Sequence, residues 1–120
     1  MLLSPQAIVN IAVMAAEEKK AMDLIVLDIR KISIIADYFI ICSARSKTQV
    51  QAIAENILEK AALAGCTVKR QEGFREGEWI LLDFGDVVVH VFQEAFRQFY
   101  NLERLWGDAP LVEVPVSVNG

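Results

Sequence analysis

The chain is poor in the residues from which most catalytic and metal centres are built. Its 120 residues include one histidine, His90, and two cysteines, Cys42 and Cys66. Neither cysteine belongs to a CxxC pair and neither has a second ligand nearby in sequence. Both occupy strand-like positions, so they read as buried free thiols rather than as a zinc site or a disulfide. Runs of Lys and Arg are also missing: 12 basic residues face 16 acidic ones, for a net charge of −4. No long-range attraction to nucleic acid or anionic lipid follows from that balance. Within a ribonucleoprotein, the expected contact is a basic protein rather than a phosphate backbone. Long apolar runs are absent as well. The stretch AIVNIAVMAA is too short to cross a bilayer, has no basic residues before it and is followed by EEKK. It suits neither a membrane span nor a signal peptide, and a soluble, cytoplasmic chain is the expectation.

What is present is apolar: 54% of the residues are hydrophobic, enough to close a core in one domain. No repeat or linker divides the chain, so residues 1–110 are expected to form a single domain. The remaining residues, 111–120, carry little pattern and read as a loose C-terminal tail. Ser4-Pro5 starts a helix, with a hydroxyl at the N-cap and proline at the first turn. Ile8, Ile11, Ala12 and Ala15 recur at helical spacing, and the helix is expected to run to about Met22. Leu24–Ile29 and Tyr38–Ser43 are β-branched, nearly continuous apolar runs and read as buried strands. Ser46-Lys47-Thr48-Gln49 has the form of a capping box. The helix behind it places Val50, Ile53, Ala54, Ile57, Leu58 and Ala61 on one face and stops at Gly65. Cys66–Gln71 alternates like a half-exposed strand, and Glu94–Trp106 reads as one aromatic-rich helix. The predicted fold is α/β: a mixed sheet of about five strands with helices packed on it. The strands flanking the Ser46–Gly65 helix are expected to pair in parallel through a right-handed crossover.

Residues 77–93, GEWILLDFGDVVVHVFQ, read as a hairpin. Glu78–Phe84 and Val87–Phe92 are joined by Gly85-Asp86, with glycine first as a type II′ turn requires. Counting outward pairs Phe84 with Val87, Leu82 with Val89 and Ile80 with Val91 on one face. The other face pairs Asp83 with Val88, Leu81 with His90 and Trp79 with Phe92. The first face is wholly apolar and reads as core. The second mixes aromatics with a carboxylate and an imidazole, which suits a surface that meets a partner.

Three motifs invite chemistry and receive plainer readings. Asp83-Phe84-Gly85 spells the DFG of protein kinases, but the other kinase elements are missing and the triplet spans a hairpin turn. Asp83 and His90 suggest acid–base work, yet no nucleophile is placed beside them. Ser43-Ala44-Arg45-Ser46 precedes a helix as the Gly-Ser element of nucleotidyltransferases does. Those enzymes also need a strand bearing two carboxylates for a metal, whereas QAIAENILEK is helical. A small nucleotidyltransferase-type enzyme therefore stands as the alternative reading, and a self-associating domain as a third.

The stretches DYFIICSARS, FREGEWILLDFGDVVVHVF and RQFYNLERLWGDA together resemble the ribosomal silencing factor family, also called RsfS or Iojap. The resemblance covers residues 5 to 110, with Ala44 standing where the family commonly has glycine. It implies a fold similar to that of nucleotidyltransferases without the catalytic metal site, no cofactor and no enzymatic activity. It further implies binding to ribosomal protein L-fourteen on the large subunit, a steric block to subunit joining that represses translation, and a tendency to form homodimers. Carried over residue by residue, the partner-binding surface would comprise Trp79, Leu81, Asp83 and His90 of the hairpin. Arg97, Tyr100, Glu103 and Trp106 of the last helix would lie beside them. Membrane contact is not expected, and direct contact with nucleic acid is expected to be slight.

Overall fold

The computed structural model describes residues 3–112. The elements are α1 (Pro5–Glu18), β1 (Met22–Asp28), β2 (Tyr38–Ala44), α2 (Lys47–Leu63), β3 (Arg70–Glu72), β4 (Trp79–Asp83), β5 (Val87–Gln93), α3 (Glu94–Tyr100) and α4 (Leu102–Leu105). The five strands form one mixed sheet in the order β1-β2-β5-β4-β3. Strands β2 and β5 run parallel in register from Tyr38–Val87 to Ala44–Gln93, and all other neighbours are antiparallel.

The parallel pair differs from the expected one. The strand after α2 does not return beside β2; it shrinks to Arg70–Glu72 and takes the far edge, while β5 sits beside β2. The cause is burial. β2 is buried at every position and β5 at all but Gln93, so both suit a place covered on two faces. Arg70, Gln71 and Glu72 are all exposed, and an edge keeps their charges in water.

The helix ends show why two boundaries moved. Helix α1 stops four residues before the expected Met22 because Lys20 adopts φ 65°. Ala21 N–H then donates to Ala16 O at 3.1 Å and Lys20 N–H to Glu17 O at 3.0 Å, the two bonds of a Schellman cap. No glycine marks the site, so the sequence does not announce it. Helix α2 closes in the same way at Gly65, φ 90°, as expected. Its N-cap Ser46 Oγ accepts from Gln49 N–H at 3.1 Å, but Gln49 Oε1 accepts from Arg45 N–H rather than from the cap residue. Strand β1 starts early and carries a bulge between Met22 and Ile25, with Asp23 at φ 49°.

The hairpin has the expected register at every pair from Trp79–Phe92 to Asp83–Val88. Phe84 N–H donates to Val87 O at 2.9 Å across the turn, and Gly85 has φ 96°. Helices α1 and α2 cover one face of the sheet. Their residues Val13, Val50, Ile53 and Ile57 meet Ile40, Ile80, Leu82, Val89 and Val91 in the larger core. Cys42 lies in that core, where burial pushes its thiol up to about 12; Cys66 is half-buried, and both are free. The other face carries a smaller core of Leu27, Ile29, Ala36, Phe39, Ile41, Val88, Phe92 and Ala109.

The expected helix Glu94–Trp106 is broken. Asn101 sits at φ 47°, ending α3 and starting the single turn of α4 at an angle to it. Asparagine tolerates this left-handed conformation better than other residues with a side chain. The bend lets Phe96, Leu102 and Trp106 pack on the smaller core together. Pro110 O, at the end of the expected domain, accepts from Asp28 N–H, and the first two residues of the expected tail continue the pairing: Leu111 bridges Leu27 and Val112 N–H donates to Val26 O. Residues 113–120 of that expected tail lie outside the described residues.

Candidate functional site

The second face of the hairpin and the two C-terminal helices meet in one aromatic cluster. Trp79 stacks on Phe92 with ring centroids 5.0 Å apart and approaches Tyr100 at 4.8 Å. Phe39 meets His90 edge-on at 4.8 Å and Trp106 at 5.2 Å. These separations are those of favourable aromatic pairs, each contributing about 1 kcal/mol beyond area burial. Trp79, Leu81 and Trp106 are half-buried, so they brace the small core with one side and offer the other to solvent.

His90 lies beneath this cluster and is 3% exposed. The Trp79 indole N–H donates to its Nδ1 at 3.1 Å. An Nδ1 that accepts carries no proton, so the neutral ring holds its proton on Nε2. That Nε2 is buried and has no hydrogen-bond partner. Burial lowers the His90 pKa to about 4, which keeps the ring neutral near pH 7. The suspected Asp83–His90 dyad does not form. Asp83 Oδ1 instead accepts from Gly85 N–H at 2.8 Å and holds the turn.

Arg97 is turned inward rather than toward a partner. It is 9% exposed; Nη1 donates to Asp23 O at 2.6 Å and to Ser43 Oγ at 2.7 Å, and Nε donates to Glu103 Oε1 at 2.8 Å. One guanidinium thus ties α3 to the β1 bulge, to the end of β2 and to α4. Beside it opens a polar cleft of about 320 Å³ lined by Asp23, Ser43, Glu94, Gln98 and Glu103, among others. Among the described residues no three His, Cys, Asp or Glu side chains are arranged to hold a metal ion.

The sequence-predicted residues therefore divide. Trp79, Leu81, Asp83, Tyr100, Glu103 and Trp106 reach the surface, whereas His90 and Arg97 stand behind it. Two exposed apolar residues on the same helices were not among them: Phe99, 78% exposed, and Leu105, 76% exposed. Periodicity alone reads both as core, because only the bend at Asn101 shows which way each helix faces. Phe39 was also missed, although it links His90 to Trp106. It lies in a strand that looks uniformly buried.

Comparison with known proteins matches this architecture. A family model described as "Ribosomal silencing factor during starvation" matches residues 3–119. The chain is 49% identical over 117 residues to the ribosomal silencing factor RsfS of Bacillus subtilis, covering 98% of this chain and 99% of that one. It is 48% identical over 112 residues to the RsfS of Halalkalibacterium halodurans, covering 93% and 96%. A crystal structure of a Chromobacterium violaceum protein superposes with a TM-score of 0.86 at 36% identity, covering 98% of this chain and 95% of that one. With the family model spanning nearly the whole sequence, the chain belongs to the ribosomal silencing factor family.

Proposed function

We propose that this protein represses translation by binding the large ribosomal subunit and sterically blocking its association with the small subunit. Its docking surface is the aromatic face of Trp79, Leu81, Tyr100 and Trp106, extended by Phe99 and Leu105. The partner is ribosomal protein L-fourteen, as the family resemblance implies, and the site of action is the cytoplasm. The observation that carries this reading is the apolar exposure of α3 and α4. Phe99 and Leu105 remain more than three-quarters exposed on the two helices whose Phe96, Leu102 and Trp106 pack on the smaller core, so this apolar surface adjoins the aromatic cluster. Aromatic anchors surrounded by polar residues are the composition of protein–protein hot spots. Asp83 and Glu103 at the margin give the face an acidic rim, which complements a basic ribosomal protein and speeds encounter.

The protein acts on this reading without catalysis and without a cofactor. The polar cleft beside Arg97 is the feature an enzyme would use, but the guanidinium there is already engaged by Asp23, Ser43 and Glu103. Such an arginine acts as a brace rather than as a substrate clamp. Homodimers would form through the same apolar face in the absence of ribosomes. The test is co-sedimentation with separated large subunits, small subunits and joined ribosomes. Binding to large subunits alone, with loss of joined ribosomes, is expected. Unchanged subunit joining at saturating protein would overturn the proposal.

A further inference from the structure

Among the described residues, the exposed large apolar side chains divide unevenly between the two faces of the sheet. Met14 and Leu63 lie on α1 and α2, the helices that cover the larger core. Phe99, Tyr100 and Leu105 lie on α3 and α4, the helices packed on the smaller core. Four more belong to segments that the aromatic face does not include. They are Ile32, Ile34 and Ile35 in the loop between β1 and β2, and Leu111 beyond α4. Ile34 is fully exposed, and Ile35 and Leu111 are nearly as exposed as Phe99 and Leu105.

Both segments stand on the side of the smaller core. Leu111 bridges Leu27 in antiparallel register, and residues directly opposite share a face. Leu27 belongs to the smaller core, whereas Val112, one residue beyond Leu111, packs against the larger one, as strand alternation requires. The loop leaves the sheet at Ile29 and rejoins it after Ala36, and both residues are buried in the smaller core. Leu27 lies two residues before Ile29, which brings Leu111 near the start of the loop. The loop is closed at its base, where Ile29 N–H donates to Asp37 O at 3.0 Å. At its tip Ser33 Oγ accepts from Ile35 N–H at 3.0 Å. Asp37 N–H donates to Asp86 O at 2.7 Å and ties the loop to the turn of the β4–β5 hairpin. The hairpin that carries Trp79, Leu81 and Asp83 therefore also positions the loop.

We infer that the β1–β2 loop and Leu111 form a second apolar contact, flanking the aromatic face, that seats on the same protein of the large subunit. It rests on the large-subunit reading above and supplies contact surface that the aromatic face lacks. A stable interface draws on about 20–30 residues a side, far more than that face and its acidic rim provide. An aliphatic patch selects protein rather than RNA. Isoleucine and leucine neither stack on bases as aromatic rings do nor hydrogen-bond to their edges, which are the contacts that RNA recognition uses. Isoleucine is also stiff at χ1, so little rotamer freedom is lost when it docks. The matching surface on the partner is an apolar groove.

The experiment compares the full chain with Ile34→Ser/Ile35→Ser and with Leu111→Ser, using Phe99→Ser as the reference on the aromatic face. Thermal melting should be unchanged, because the replaced side chains are exposed. Affinity for purified large subunits, read by co-sedimentation, should fall about tenfold or more in the double variant and measurably in Leu111→Ser. No charge is removed, so the slope of log affinity against log salt should match the wild type. Wild-type affinity in either new variant, with Phe99→Ser impaired, would overturn the inference and leave the proposed function intact. No binding of the wild type to large subunits would overturn the proposed function and the inference with it. A lowered melting temperature would mean that the chain's own residues cover the patch, and a flattened salt slope that the loop serves a contact with RNA; either result overturns the inference. Lost self-association with intact large-subunit binding would assign the patch to a second copy of the chain and overturn it as well.

Discussion

The indole N–H of Trp79 and Nδ1 of His90 meet at 3.1 Å across the β4–β5 ladder, eleven residues apart in sequence. This bond fixes the tautomer of a buried imidazole and fixes the angle of the tryptophan that stands at the surface. The chain's only histidine thereby acts on the candidate binding face from behind it. An imidazole placed this way must stay neutral, and a measurable pH dependence follows.

His90 should make the fold acid-sensitive. Its folded pKa of about 4 lies below the ordinary histidine value of 6.5, so the unfolded chain binds a proton more readily. The stability this group contributes is full above pH 6.5 and is lost as pH falls from 6.5 toward 4. The loss is on the order of 3 kcal/mol. Urea unfolding between pH 4 and 7 should show that slope in the wild type and a flatter one in His90→Gln. Parallel slopes in the two proteins would mean that His90 is not buried as a neutral ring.

Replacing Trp79 by Phe keeps an aromatic ring against Phe92 but removes the N–H that favours unprotonated Nδ1. The His90 pKa should therefore rise above about 4, while burial, its main cause, still holds it below the ordinary value. Titration by NMR of the imidazole resonances reads this directly. An unchanged pKa would show that desolvation alone sets it.

Arg97 should matter for stability before it matters for binding. Arg97→Met leaves Ser43 Oγ and Asp23 O without their donor and frees α3 from both strands. Breaking a buried charged network costs about 3 kcal/mol, reduced somewhat here because Glu103 is partly exposed. Arg97→Lys should recover little, since an ammonium cannot reproduce a fork that serves three acceptors. Urea midpoints of the two variants decide the matter; a wild-type midpoint in Arg97→Met would return this residue to the list of surface contacts.

The exposed apolar residues give the opposite pattern. Phe99→Ser and Leu105→Ser should change stability by less than about 0.5 kcal/mol, as surface substitutions do. Loss of an aromatic or aliphatic anchor should weaken large-subunit binding about tenfold or more. Thermal melting and co-sedimentation on the same samples separate the two effects. Intact binding in both variants would move the docking surface away from α3 and α4.

Leu82 and Asp83 are neighbours that point to opposite sides of the sheet, and their variants should diverge. Leu82 is fully buried beside Val89, so Leu82→Asp places an unpaired carboxylate in the larger core and should prevent folding. Asp83→Asn retains the oxygen that accepts from Gly85 N–H and should melt like the wild type. Its association with large subunits should slow more at low salt than at high salt, because only a rim charge has been removed. Equal slowing at every salt concentration would mark a short-range contact instead.

What the sequence determined by itself is the local geometry. Gly85 after Phe84 allows one turn, and strict alternation on either side then settles every pair from Trp79–Phe92 to Asp83–Val88 without further information. Ser46 and Gly65 mark the two ends of α2 because caps act over a few residues. The family was legible for the same reason: its motifs are contiguous. Tertiary structure alone decided what depends on distant chain segments meeting. The choice of β5 rather than β3 beside β2 follows from burial on both faces, which a three-residue polar strand cannot exploit. The bend at Asn101 turns Phe96 and Trp106 onto the sheet and leaves Phe99 and Leu105 in water, although all four look alike in a helical pattern. Arg97 looked like a surface residue because its partners Asp23 and Ser43 lie more than fifty residues upstream.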